Sequence, residues 1–196
     1  MNFSQWLAIL SAIIIIAGAS SYIRDTLRGE TEPNRVSWFI WALAPLIATG
    51  AAISAGADLW ATSRVFLAGF IPLFVFFASF LSPGGFWKLG KFDLTCGAFS
   101  ILALLVWLFV DLPRLAILLL IFVDGLASLP TYRKIWLAPE TESGFMYVAS
   151  LFSNLLIIPS IPVWNIENAA FQVFLIVNSS LFILMIYRDR LFHSRR

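Results

Sequence analysis

The chain is poor in charge, in cysteine and in histidine, and each shortage excludes a class of protein. Only 12% of its 196 residues are charged, while 60% are hydrophobic. Soluble domains carry about 25% charged residues, so 13 basic and 11 acidic side chains are too few to cover a water-facing surface of this size. The same imbalance excludes intrinsic disorder, which needs low hydrophobicity and high net charge. A net charge of +2 supplies no basic footprint for nucleic acid. One cysteine, Cys96, permits no intrachain disulfide, and with the lone His193 it leaves no ligand set for zinc or an iron–sulfur cluster. HExxH, GxSxG and P-loop patterns are also missing, so neither enzyme chemistry nor a cofactor is expected.

What the chain does have is apolar length, with a mean hydropathy of +0.89. A helix needs about 20 apolar residues to cross a hydrocarbon core, and aperiodic runs of that length differ from the alternating pattern of barrel strands. The expectation is an all-α membrane protein. Seven runs bounded by charge, Gly or Pro stand out, at 5–23, 36–55, 63–82, 94–110, 114–132, 144–163 and 169–187. The first has no basic residue before it and Arg24 after it, so it reads as an uncleaved span rather than a signal peptide.

With seven spans, one side of the membrane receives Arg24, Arg28, Arg35, Lys88, Lys91, Arg133, Lys134, Arg188, Arg190, Arg195 and Arg196, and the other only Arg64 and Arg114. The positive-inside rule then predicts an outside amino terminus and a cytoplasmic carboxyl terminus, in a plasma (inner) membrane. The basic tail 188–196 is expected to touch anionic lipid. Trp6, Trp60, Trp107 and Trp164 fall near outer span ends and Trp38, Trp41, Trp87 and Trp136 near inner ends, the pattern of an aromatic belt.

Sliding the chain on itself by 110 residues aligns 17–32 with 127–142, with Ala17/Ala127, Tyr22/Tyr132, Leu27/Leu137, Glu30/Glu140, Thr31/Thr141 and Glu32/Glu142 identical and Arg24/Lys134 conservative. Spans one to three overlie spans five to seven at nearly the same offset. The predicted organisation is a three-helix repeat over 1–82, a cytoplasmic loop and linker helix over 83–113, a second repeat over 114–187 and the tail. Because three spans are an odd number, one extra span is needed for the two repeats to insert in parallel. Parallel repeats place a solute site between the halves near the midplane.

This plan, with Leu129, Pro130, Thr131, Tyr132, Arg133 and Lys134 in the second repeat and Ser20, Ser21, Tyr22, Ile23 and Arg24 in the first, resembles the SWEET, SemiSWEET and PQ-loop superfamily of small-solute transporters. Nicotinamide riboside transporters share the 3+1+3 plan. The Gln of the Pro-Gln motif is absent from both halves, and its Pro from the first. The resemblance implies alternating access with Pro130 as a hinge. It also implies an Asn on the third helix of a repeat as a solute ligand, a placement that Asn178 matches.

Asp124 is the one charge far from any span edge, ten residues from Arg114 and eight from Tyr132. A charge there is costly, and no Lys or Arg lies deep in a span to pair with it. It either bonds a neighbouring helix as a neutral acid or holds a solute or proton. Ser128 and Thr131 share its helical face. Asn154 and Asn178 need partners that hydrocarbon cannot supply, as helix glue or as solute ligands. Ser153, Ser179 and Gln172 are weaker candidates of the same kind. Pro45, Pro72, Pro159 and Pro162 free backbone carbonyls and can serve as gates. Trp41, one turn before Pro45, can wall the cytoplasmic mouth of a pocket. The loop 24–35 and its mate, with Arg133, Lys134, Glu140 and Glu142, read as a salt-bridged inner gate or as solvated loops. The functional expectation is a carrier of a small polar solute, of sugar, amino-acid or vitamin size. Protons and a second copy of the chain are further candidate partners. A non-transporting receptor or assembly subunit on the same fold is the alternative.

Overall fold

A computed structural model describes residues 3–54, 56, 59–84 and 87–192. His193, Arg195 and Arg196 lie outside the described residues, as do the side chains of Trp60 and Arg64. The described residues are helical, with no strand among them. The helices are α1 (Phe3–Leu27), α2 (Arg35–Ser54), α3 (Leu59–Leu81), α4 (Lys91–Trp107), α5 (Pro113–Leu137), α6 (Gly144–Ile157), α7 (Phe171–Ile186) and the short α8 (Arg188–Phe192). Each of the seven apolar runs overlaps one of the first seven helices. α1, α2, α5 and the continuous segment Ile166–Ile186 are long and apolar enough to cross a membrane. Val65–Leu81 and Gly144–Ser160 are shorter apolar helices.

Four boundaries differ from the sequence expectation for local reasons. α1 and α5 run four or five residues past their apolar runs, because the polar side chains there find protein partners. Arg24 and Lys134 are therefore helical rather than loop residues. α6 gives way to a 3₁₀ turn over Ile158–Ser160, where Pro159 has no amide proton to continue the helix. The last long helix starts through a π turn over Ile166–Ala170, with the Asn165 side chain accepting from the Asn168 amide at 2.9 Å.

The end of α1 is a Schellman motif. The Gly29 amide donates to the Thr26 carbonyl and the Glu30 amide to the Asp25 carbonyl, at 3.0 and 2.9 Å. Gly29 has φ of 75°, and a Cβ there would meet the Gly84 backbone nitrogen at 2.8 Å. Conformation and close approach both demand glycine. Asn34 opens α2, its Oδ1 accepting from the Val36 and Ser37 amides, while its Nδ2 donates to Asp93 Oδ1 at 2.9 Å. Asp93 in turn accepts from the Gly90 amide at 2.7 Å and caps α4. One buried Asn–Asp pair thus fixes the starts of two helices against each other.

α1 packs on α6 and α3, α2 on α3 and α5, α7 on α5 and α6, and α4 against α5 and α2. Large apolar side chains such as Phe77, Phe80, Phe99, Leu102, Phe122 and Phe152 point outward and are exposed. Ser11, Thr26, Asn34, Ser37, Asp93, Ser128, Thr131, Lys134, Glu142 and Asn178 are buried. A bundle with phenylalanine outside and hydrogen-bonded polar groups inside is matched to lipid rather than water.

Candidate functional site

The interior divides into a cavity and a polar plug, separated by an aromatic layer. The plug lies where α1 and α5 end. Lys134 and Glu142 form an ion pair, and both side chains are fully buried. Glu142 Oε1 also accepts from the Tyr22 hydroxyl at 2.6 Å and the Tyr147 hydroxyl at 2.9 Å. Lys134 Nζ donates to the backbone carbonyls of Glu32 and Thr141. The Glu32 amide reaches the Thr141 carbonyl at 3.0 Å, and Ser143 Oγ donates to Asp25 Oδ2 at 2.8 Å. Both Glu142 oxygens are engaged, Oε2 by Lys134 and Oε1 by the two hydroxyls, which a buried ion pair requires if its desolvation is to be offset. The charged loops of the sequence reading do meet here. Their one buried ion pair is local to the second segment, however, and its links to the first are hydrogen bonds. Arg28, Glu30 and Glu140 stay exposed.

Above the plug sits the aromatic layer. Tyr22 and Trp38 have ring centroids 4.8 Å apart, Trp38 and Trp41 5.2 Å, and Trp41 and Phe182 6.0 Å. The Trp38 Nε1 proton goes to the Tyr22 hydroxyl at 3.3 Å. Trp38 is therefore a core residue and not part of a lipid belt: the tyrosine supplies its polar partner inside the bundle. Trp6, Trp136 and Trp164 are exposed, as belt residues are.

Beyond this layer is a cavity of about 660 Å³, lined by all helices of the bundle except α4 and α8. It is of the size used for small organic ligands. Asp124, Asn154, Asn178, Trp41, Pro45 and Pro72 all line it, so residues scattered over α2, α3, α5, α6 and α7 converge on one space. Comparison with protein-family models, curated proteins and solved structures returns no match.

Asn178 accepts from the Tyr132 hydroxyl through Oδ1 and donates to Ser128 Oγ at 3.0 Å. Ser128, predicted beside Asp124, donates to the Asp124 backbone carbonyl at 2.8 Å and touches the cavity through Asn178. Asn154 donates to Ser150 Oγ at 3.3 Å and accepts from Gln172 Nε2 at 3.0 Å. Ser150 and Ser179 are 3.1 Å apart, and Ser11 and Ser153 2.7 Å. Both asparagines thus tie helices together as well as facing the cavity. Thr131 bonds Ser37 at 2.8 Å, away from the cavity. Asp124 stands apart: among the described residues its carboxyl group has no hydrogen bond and no ion pair.

Of the prolines, Pro130 is buried within α5 and Pro159 is exposed outside the cavity. The sequence placed Lys134 and Glu142 in a salt-bridged inner gate or in solvated loops without pairing them with each other, and Tyr147 and the Asn34–Asp93 pair went unremarked. The signal for the first two lay in the repeat alignment, where Lys134 pairs with Arg24 and Glu142 with Glu32.

Proposed function

We propose that the chain is a membrane carrier for a small polar solute, held in the cavity between two three-helix halves, α1–α3 and α5–α7, with α4 as the linker. The observation that carries this reading is the convergence of Asp124, Asn154 and Asn178 on one cavity that stops at an aromatic layer and a sealed polar plug. The packing pattern supports the division into halves. Exchanging α1, α2 and α3 for α5, α6 and α7 turns the pairs α1–α3, α2–α3 and α1–α6 into α5–α7, α6–α7 and α5–α2, and all six pairs are in contact. The matched segments Thr31–Glu32 and Thr141–Glu142 also meet each other, as equivalent residues near a shared axis would.

On this reading the plug is the closed gate on the cytoplasmic side, and the cavity is reached from the side of the α1 amino terminus. Its polar bonds are numerous but exchangeable, so the halves can part there without exposing a bare charge to lipid. The test is accessibility. In a Cys96→Ser background, Ala12→Cys places a thiol on the cavity wall. A membrane-impermeant thiosulfonate should label it from the outer face of oriented vesicles. Adding Lys134→Met and Glu142→Gln should open labelling from the inner face as well. Labelling from one face in both backgrounds would favour the receptor or assembly-subunit alternative.

A further inference from the structure

Most polar groups lining the cavity are committed to one another. The exceptions are the Asp124 carboxyl group and the Trp41 Nε1 proton, which has no hydrogen-bond partner among the described residues, and of the two only Asp124 can carry charge. Asn178 is bonded to Ser128 and Tyr132, Asn154 to Gln172 and Ser150, and Ser11 to Ser153. Among the described lining residues there is one carboxylate, Asp124, and no Lys, Arg or His. The only other titratable lining group is Tyr147, whose hydroxyl donates to Glu142. The nearest buried ammonium, Lys134, is paired with Glu142 in the plug and does not line the cavity. An anionic solute would find no positive group here and would be repelled by Asp124. A neutral solute would leave the carboxylate uncompensated within the hydrocarbon zone, which is costly.

We propose that the solute carries a positive charge, as an amine, guanidinium or quaternary ammonium group. The Asp124 carboxylate is its counter-charge and Trp41 an aromatic wall of the same cavity. Charged groups matched across a dry contact govern selectivity, and an indole is the aromatic surface best suited to a cation. This proposal rests on the carrier reading only for what happens after binding, since charge preference holds for a receptor equally.

The experiment compares cations with uncharged partners of the same shape, using purified protein in detergent and tryptophan fluorescence as the readout. The pairs are choline with its carbon isostere dimethylbutanol, tyramine with propylphenol, and butylguanidine with butylurea. At least one cation should bind about tenfold tighter than its partner or better. Asp124→Asn should bring that ratio below about twofold, and Asp124→Glu should keep it. The asparagine mimics a protonated carboxyl group, so a ratio unchanged in Asp124→Asn would mean a neutral acid in the wild type and would overturn the proposal. Equal binding of both members of every pair, no binding of any cation, or the same fluorescence change with sodium chloride alone would also overturn it. Matched elution of the two variants and wild type on size exclusion ensures that folded proteins are compared. Vesicle uptake of the bound cation is then measured separately. Binding that depends on Asp124 without uptake would leave the charge assignment standing and remove the carrier reading.

Discussion

Glu142 and Asp124 both lie inside the bundle, one on each side of the Trp38–Trp41–Phe182 layer, and their surroundings differ in every respect. Glu142 has an ammonium group and two tyrosine hydroxyls as partners, and helix ends from both halves of the chain close around it. Asp124 has none of these as a partner, since the one tyrosine lining its cavity, Tyr147, gives its hydroxyl proton to Glu142. A carboxylate with complete partners holds helices together. One with no partner cannot, and a fold that keeps it must gain something other than stability from it. The comparison teaches that burial depth alone does not separate structural from functional charge. The inventory of partners does.

The comparison can be broken or sharpened by substitution, with unfolding by denaturant in a fixed detergent as the measurement. The largest effect is expected from Glu142→Ala, which strands a fully buried Lys134 ammonium. It should cost about 3–5 kcal/mol, and adding Lys134→Met should recover most of the loss. A cost no greater than that of a surface substitution would mean that the plug opens to water readily. Asn34→Ala removes the α2 cap and the partner of Asp93 on the same side of the bundle. It should cost about 1–2 kcal/mol. Tyr22→Phe leaves Glu142 with two partners and takes the acceptor from Trp38 Nε1. About 1 kcal/mol is expected. The smallest effect belongs to Asp124→Asn, which should change stability by less than about 0.5 kcal/mol or raise it, because no bond is lost and a charge is removed. A loss comparable to that of Glu142→Ala would show that Asp124 has a structural partner and would erase the contrast.

Much of the helical layout can be read directly from the chain. Each of the seven apolar runs contains a helix, and four of these helices are long and apolar enough to cross a membrane, where a helix satisfies its own amides without water. Asp124 also stands out in the sequence, because a lone charge eight residues from the nearest span edge is conspicuous against an apolar background. The buried pairing within the plug is hidden for the opposite reason. Lys134 and Glu142 sit among other charges at the end of an apolar run, where solvated side chains are the norm. Whether such a residue turns outward to headgroups or inward depends on what the neighbouring helix ends present. Tyr22, Tyr147 and the carbonyls of Glu32 and Thr141 come from three separate stretches of chain. Trp38 is hidden in the same way: its position suits an interface anchor, and only Tyr22 packed beside it makes it a core residue.

The scarcity of charge, the seven apolar runs and the isolation of Asp124 are properties of the sequence by itself, because they depend only on what hydrocarbon tolerates and on distance along the chain. The convergence of Asp124, Asn154 and Asn178 on one cavity, the commitment of both asparagines to neighbouring helices, and the burial of Lys134 against Glu142 were decided by tertiary structure alone. Each requires side chains many residues apart to arrive within hydrogen-bond reach or around one space. Helical periodicity sets which face a residue occupies, and only packing sets what that face meets.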